Sequence, residues 1–162
     1  MWPLFWQHRG GSKHSAAMLQ RALAHPGADR ISADRVNVEY SLAVLAYLDA
    51  KMDTARMHAI RSRDFARELK LDAAAARSQT MVAYSTYVRD GYAASRELFL
   101  RAIDDCRVAN LENARLIAIC NLATNAFYAG DHLVAQTTWE EARRDNEKLK
   151  APRVAGSLLQ LR

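Results

Sequence analysis

The sequence predicts an all-α protein built as a helical solenoid, and three observations support this fold class. Small residues recur at intervals of 40 along the chain, and aromatic residues recur four positions after them. The two series are Ala43, Ala83 and Ala123, and Tyr47, Tyr87 and Phe127. The segments between turns are rich in alanine and place apolar residues at the 3.6-residue period of a helix. Because internal repeats of this length form stacked helix pairs, we expect about three pairs with a half repeat at each end.

Length and composition are those of one folded domain with a substantial core. The chain has 162 residues, half of them hydrophobic, and only three prolines, so disorder is not expected. No apolar stretch reaches the roughly 18 residues that a membrane helix needs, and two cysteines are too few for a disulfide framework. We therefore expect a cytoplasmic protein. The net charge of +5 is equally compatible with binding to nucleic acid, with binding to an acidic protein, and with a soluble surface that binds neither.

The interval of 40 divides this single domain into repeats. We expect a half repeat over 1–31, full repeats over 32–71, 72–111 and 112–151, and a half repeat over 152–162. The helical period predicts helices over about 15–25, 34–49, 54–70, 73–89, 92–110, 112–129, 131–149 and 154–161.

Capping residues define where these helices begin. Ser12 and Ser32 are typical N-caps of the first two helices, and the Pro-Gly pair at 26–27 ends the first one. The pairs at 71–72 and 111–112 each place an acidic residue at a helix start, where negative charge stabilises the exposed N–H groups. The turns inside the helix pairs fall at four positions 40 apart, namely Gly10, Ala50, Asp90 and Gly130.

The spacing of small and aromatic residues within each unit resembles the tetratricopeptide repeat. Three segments carry this resemblance on the second helices: Ala55-x-x-x-Ala59 with Ser62, Ser95-x-x-x-Phe99 with Ala102, and Ala135-x-x-x-Trp139 with Ala142. On a first helix, Leu122-Ala123-x-x-Ala126 is similar to the start of the family motif. The period of 40 also occurs in HEAT and armadillo arrays, but the spacing on the second helices favours the tetratricopeptide family, in the long variant of bacterial transcription activators and signalling proteins. The resemblance implies a right-handed α-α superhelix in which Ala83 and Ala123 lie at close helix crossings.

The resemblance also implies that the first helix of each pair lines a concave, partner-binding surface. The residues expected there are Asn37, Tyr40, Arg77, Tyr84, Asn121, Thr124 and Tyr128. An arginine, amides and tyrosines on one wall could hold an extended peptide or a partner helix. We therefore expect a non-catalytic protein- or peptide-binding scaffold, a regulatory module of a signalling or transcription system. The alternative for the tyrosines is that they only fill gaps between repeats.

A series of arginines on the second helices supports a different function. Its members are Arg21, Arg56, Arg61, Arg67, Arg96, Arg101 and Arg107. Such a convex basic face could bind nucleic acid or an acidic partner through phosphates or carboxylates. The simpler interpretation, which we favour, is that Asp64 and Asp104 form ion pairs within their own helices with arginines three residues away.

No pattern of catalytic or metal-binding residues is evident. The five histidines lack the spacing of a ligand pair, and Cys106 and Cys120 lie on different predicted helices. The adjacent acids at 104–105 and 140–141 diverge around their helices, whereas acid–base pairs must converge. The sequence therefore predicts a protein that is not an enzyme and that uses no cofactor or metal.

Both ends of the chain carry large apolar side chains. Trp2, Phe5 and Trp6 precede the first repeat, and Leu158 and Leu161 belong to the last half repeat. Because an uncapped solenoid end exposes a surface meant for a neighbour, we expect either a longer array or a homo-oligomer that joins through its open ends. Self-association is accordingly the third candidate function.

Overall fold

The fold is known from a computed structural model, which describes residues 12–27 and 29–149. These residues form seven α-helices and no strand. The helices are α1 (Ser12–Leu23), α2 (Ala33–Leu48), α3 (Met52–Glu68), α4 (Asp72–Asp90), α5 (Tyr92–Val108), α6 (Glu112–Tyr128) and α7 (His132–Leu149). The all-α prediction is confirmed. The aromatic segment at 2–6 and the half repeat at 152–162 lie outside the described residues, and the division into repeats stays a prediction.

The helices stack in chain order, each against the next. The first helices of neighbouring pairs also touch, because α2 packs against α4 and α4 against α6. Within the described residues, the backbones of the second helices α3, α5 and α7 do not approach one another in this way. The first helices therefore form the inner, more closely spaced layer of a curved array.

The helix starts agree with the sequence analysis, with small shifts. Ser32 caps α2, since its backbone is extended and its Oγ accepts a hydrogen bond from the Arg35 N–H at 3.2 Å. Asp72 and Glu112 lie in the first turns of α4 and α6. Ser12, expected as an N-cap, is instead a helical residue of α1.

Four helices are followed by a residue with a left-handed backbone, and only one of these residues is the glycine that this conformation favours. These residues are Ala50, Lys70, Asn110 and Gly130, with φ of 58°, 56°, 54° and 81°. Each is followed by an N–H that bonds back to the last turn, as Lys51 N–H does to the Ala46 carbonyl at 2.8 Å. This arrangement is the Schellman motif, which favours glycine because a Cβ is strained at positive φ. Only Gly130 meets that preference.

Small side chains lie at the helix crossings. Ala83 is fully buried in a cluster with Phe99 and Leu122, which joins α4, α5 and α6. Ala43 has the same place one pair earlier, packed with Ala59 and Val82. The predicted close crossing at Ala83 is therefore confirmed.

Ala123 is also buried, but it borders an open space. It lines a groove of about 290 Å³ between α6 and α7, which we call the end groove. The groove residues are Ala123, Phe127, His132, Ala135, Gln136 and Trp139. Among the described residues, Ala123 therefore has close neighbours on one side and the end groove on the other.

The interior between α2 and α3 contains a buried charged cluster. The Glu39 side chain is fully buried, and its Oε1 accepts a hydrogen bond from Arg35 Nε at 3.0 Å. Its Oε2 lies 2.6 Å from His58 Nδ1. Burial by itself raises the pKa of Glu39, but the hydrogen bond and charge of His58, together with Arg35, hold the pKa below its ordinary value. Glu39 is therefore an anion that Arg35 and the hydrogen bond with His58 stabilise.

The position of Glu39 is polar in two pairs and apolar in the third. Forty residues later Gln79 is buried, and its Nε2 donates to the Leu98 carbonyl at 3.3 Å. Forty further on, Ile119 is fully buried in an apolar cluster with Leu116. Equivalent buried positions of the three helix pairs are thus occupied by a charged, an amide and an apolar side chain.

Replacing Ala50 by glycine should stabilise the protein. The substitution removes the strain of a Cβ at positive φ, about 1–2 kcal/mol, against an entropic cost of about 0.5–1 kcal/mol. We expect a gain of roughly 0.5–1 kcal/mol in the unfolding free energy from urea titration. Ala94→Gly, at an exposed helical site, is the control and should destabilise by a similar amount. A loss of stability in Ala50→Gly would contradict the assigned turn.

The two crossing alanines should respond differently to enlargement. Ala83→Leu should destabilise by about 1–3 kcal/mol through overpacking. Ala123→Leu should cost less, because its added methyl groups can enter the end groove. Thermal unfolding of both variants provides the comparison, and equal losses would show that the groove is closed in solution.

Stability should fall on the acid side as Glu39 becomes protonated. Because its folded pKa is depressed, the stabilisation is present at neutral pH and is lost as pH falls below the ordinary carboxyl value of 4.5. Glu39→Gln should destabilise by about 1–3 kcal/mol at pH 7, and this difference should shrink towards pH 3.5. Urea titrations at both pH values measure it, with the exposed Glu68→Gln as control. A difference that is the same at both pH values would contradict the ionised assignment.

Candidate partner-binding wall

The seven residues expected to bind a partner all belong to the inner layer of first helices. Asn37 and Tyr40 lie on α2, Arg77 and Tyr84 on α4, and the remaining three on α6. Asn37, Arg77 and Tyr128 are exposed, and the other four are partly buried. We call this surface the first-helix wall, defined by Asn37, Tyr40, Arg77, Tyr84, Asn121, Thr124 and Tyr128.

The structure brings three of these residues together around one guanidinium. Arg77 lies over the Tyr40 ring, with its Cζ 4.0 Å from the ring centroid. Its Nη2 also donates to Asn37 Oδ1 at 3.1 Å. The stacked ring and the amide fix the guanidinium, while Arg77 stays exposed. A held guanidinium with further N–H donors is suited to bind a carboxylate in two-point geometry.

The two half-buried tyrosines of the wall are neutral. Burial raises the pKa of Tyr84 above its ordinary value, and burial does the same for Tyr40, although Arg77 opposes it there. The Tyr84 ring also packs between the repeats, 6.0 Å from the Tyr47 ring and 5.5 Å from the Phe99 ring. Tyr84 therefore fills a gap as well as forming part of the wall.

Asn121 carries a polar group with an unmet bonding capacity. It approaches Tyr84 closely enough to oppose the rise in the tyrosine pKa. Its buried Nδ2, however, forms no hydrogen bond of good geometry with any described residue. Buried amide donors are normally paired, but this nitrogen has almost no accessible surface and is therefore not open to a partner in this structure.

Thr124 and Tyr128 do not join the arginine cluster. The Thr124 hydroxyl donates to the Cys120 carbonyl of its own helix at 2.9 Å. The Tyr128 side chain is 75% exposed and contacts the Phe127 ring at the end of α6. Thr124 is thus satisfied locally, whereas Tyr128 is free to contact another molecule.

An exposed apolar row runs along the same edge as Tyr128. Leu48 and Val88 occupy the equivalent positions of α2 and α4, and they are 39% and 49% exposed. These three positions are 40 residues apart, so the row can be recognised in the sequence. The wall therefore combines a guanidinium at one end of the helices with an apolar row at the other.

Some arginines of the series on the second helices form ion pairs with aspartates, and others do not. Arg107 pairs with Asp104 at 2.8 Å, as expected, but Arg67 pairs with Asp105 of the next pair at 3.2 Å rather than with Asp64. Asp64 instead pairs with its neighbour Arg63, so the expected pairing of Asp64 is wrong. The reason is that α3 and α5 present side chains to each other as well as to their own turns.

The other arginines of the series divide by exposure. Arg56 is partly buried, and its Nε has no hydrogen-bond partner among the described residues. Arg21, Arg61, Arg96 and Arg101 are exposed. Within the described residues, Arg61 and Arg101 form no ion pair.

The thiols lack the features of reactive groups. Burial raises the pKa of Cys106 and of Cys120 to about 11, so both are protonated at neutral pH and poorly nucleophilic. No cluster of three His, Cys, Asp or Glu side chains in the described part of the chain could hold a metal ion. No helix there is long and apolar enough to cross a membrane.

Comparison with known proteins supports the fold. No protein-family model and no curated protein matches this chain. Among solved structures it is similar to the crystal structure of the apo form of RapI, with a TM-score of 0.83 and 15% sequence identity over 96% of this chain. This chain spans 57% of the length of that RapI chain. At this level of identity, the likeness shows a shared helical architecture.

Proposed function

We propose that this protein is a non-catalytic scaffold that binds a protein or peptide on its first-helix wall. The observation that carries the proposal is the Arg77 guanidinium, which Tyr40 and Asn37 hold in place while it stays exposed. Holding an arginine before binding lowers the entropic cost of recognition. The group that suits it is a carboxylate, so the proposed ligand is an acidic segment of an extended peptide.

The rest of the wall supports the same type of ligand. Neutral Tyr40 and Tyr84 do not repel an anion. The apolar row of Leu48, Val88 and Tyr128 offers contacts for apolar side chains. A peptide with an acidic residue and flanking apolar residues is complementary to this combination.

The regulatory role and the cytoplasmic location belong to the proposal as well. Both rest on the resemblance of the repeats to the long tetratricopeptide-like arrays of signalling proteins and transcription activators. The shared architecture with RapI supports the scaffold part of the proposal.

Nucleic-acid binding is the second candidate function. It is favoured by one observation, that Arg61 and Arg101 are exposed and form no ion pair with described residues. Against it, Arg67 and Arg107 are neutralised by aspartates. Self-association through the repeat ends is the third candidate.

Substitution of Arg77 should weaken peptide binding strongly. Random peptides displayed on phage are selected on the immobilised protein, and the enriched peptides are labelled for fluorescence anisotropy. We expect them to carry an acidic residue and to bind Arg77→Ala about tenfold more weakly, since a charged hydrogen bond contributes about 1.5–3 kcal/mol. Arg77→Lys should recover only part of the affinity, because lysine lacks the two-point geometry.

The matched control is Arg101→Ala, which removes an exposed arginine from the opposite layer. Its peptide affinity should equal that of the unmodified protein. Peptides that bind Arg77→Ala as tightly as the unmodified protein would refute the wall as the site. Random-sequence duplex DNA provides the alternative: binding that falls steeply with salt and is lost in Arg61→Ala with Arg101→Ala would favour the nucleic-acid function.

A further inference from the structure

An exposed apolar residue, Ile117, lies beside the residues of the first-helix wall. It belongs to α6, and it is 40% exposed. It has the position on α6 that Asn37 has on α2 and Arg77 on α4, because the three residues are 40 apart. The hydrophobic clusters of the described residues do not include it. The Ile117 side chain is therefore open to contact with another molecule.

A hydrogen bond shows how equivalent positions of neighbouring first helices are placed. Arg77 Nη2 donates to Asn37 Oδ1 at 3.1 Å, so these two positions stand next to each other on α2 and α4. Since α4 also packs against α6, the same register puts Ile117 next to Arg77 on the other side. Asn37, Arg77 and Ile117 therefore form one row across the three helices, which we call the transverse row.

The neighbours of Ile117 on the same face of α6 are uncharged. Residues four apart share a helix face, and Asn113 and Asn121 lie four positions before and after Ile117. Both are amides, and Asn113 is exposed. Ile117 therefore offers an apolar contact about as large as one side chain, with no charge on this face of α6 to compete with Arg77 for an acid.

The distance along the transverse row sets which residue of a peptide reaches Ile117. Packed helices lie about 8–10 Å apart. The Arg77 guanidinium lies on the α2 side of α4, because it stacks on the Tyr40 ring and bonds to Asn37. Its separation from Ile117 is therefore longer than one interhelix distance. In an extended strand, residues on the same face are about 7 Å apart at two positions and about 13 Å apart at four. The four-residue spacing is the one that matches.

We propose that Ile117 determines the specificity of the wall by binding an apolar side chain four residues from the acidic residue that Arg77 binds. This inference rests on the proposed function, and it adds the second anchor of the peptide and the course of the peptide across the helices. The alternative apolar contact on α4 itself is Val88, eleven residues from Arg77. That is about 16 Å along the helix, which is longer than four residues of strand.

Selections of random linear phage-displayed peptides on two forms of the protein test the inference. On the unmodified protein, we expect enriched peptides to carry an apolar residue four positions from the acid that requires Arg77. On Ile117→Lys, a second acidic residue should replace that apolar residue, because the lysine attracts a carboxylate. Lysine suits the fold at this position, since Asn37 and Arg77 are its polar equivalents.

Labelled peptides from the first selection measure the strength of the contact. Fluorescence anisotropy should show about three- to tenfold weaker binding to Ile117→Ala, because part of an apolar contact is lost. Replacing the apolar residue of the peptide by alanine, which needs no variant of the protein, should weaken binding by a similar factor. The two changes together should weaken it no more than either alone, because they remove the same contact.

The matched control is Val108→Ala, at an apolar residue of α5 that is 79% exposed. It removes a similar side chain from a second helix, outside the first-helix wall, and should leave the peptide affinity unchanged. Circular dichroism and thermal unfolding check that each variant is folded.

The inference and the proposed function fail in different ways. Peptides that require Arg77 but carry no apolar residue at the four-residue spacing would overturn the inference alone. An apolar preference that Ile117→Lys leaves unchanged would do the same, and its loss in Val88→Lys would then place the peptide along α4. Peptides that bind Arg77→Ala as tightly as the unmodified protein would refute the proposed function and the inference with it.

Discussion

The architecture depends on the close approach of helices at small side chains. Alanine makes up most of the buried apolar residues in the described part of the chain, and it lies where each helix crosses the next. Small residues let the helix backbones approach closely. Because each alanine buries little apolar area, the stability of the array depends on close packing at every crossing. The curvature of the array follows from the same constraint, because the backbones of neighbouring first helices approach one another and those of the described second helices do not.

The space left by the small residues is filled in different ways along the array. In the first pair it holds Glu39 with Arg35 and His58, in the second the amide of Gln79, and in the third Ile119. Serine hydroxyls also join neighbouring helices, as Ser62 does to Ser78 at 2.9 Å. Because buried polar groups must be paired to avoid a desolvation cost, these contacts specify the relative placement of the helices. At this interior position, polar pairing therefore predominates in the first two pairs and apolar packing in the third.

The first-helix wall and the end groove both follow from the repetition of one crossing. On the first-helix wall, equivalent positions of adjacent helices stand side by side, so Asn37 and Arg77 meet although 40 residues separate them. At the end groove, the site that accepts Val82 and then Leu122 in earlier pairs recurs without an occupant among the described residues. The wall carries an exposed arginine held in place by its neighbours, and the groove has a largely apolar lining.

The sequence by itself determined the helices, their order and the small residues at their crossings. Helical period, the Ser32 cap and the spacing of alanines are local properties of the chain, so they could be predicted without knowing any neighbour. The face of the first helices that meets a partner was indicated only by the resemblance to the tetratricopeptide repeat, and it stays a prediction. Only the tertiary structure decided the partners: His58, which as a lone histidine had no assigned role, holds Glu39; Arg67 bonds to Asp105 rather than to Asp64; and Tyr40 lies under Arg77. The physical reason is that a side-chain contact between helices depends on their rotation and separation, which the packing of all the crossings sets together and which no local pattern contains.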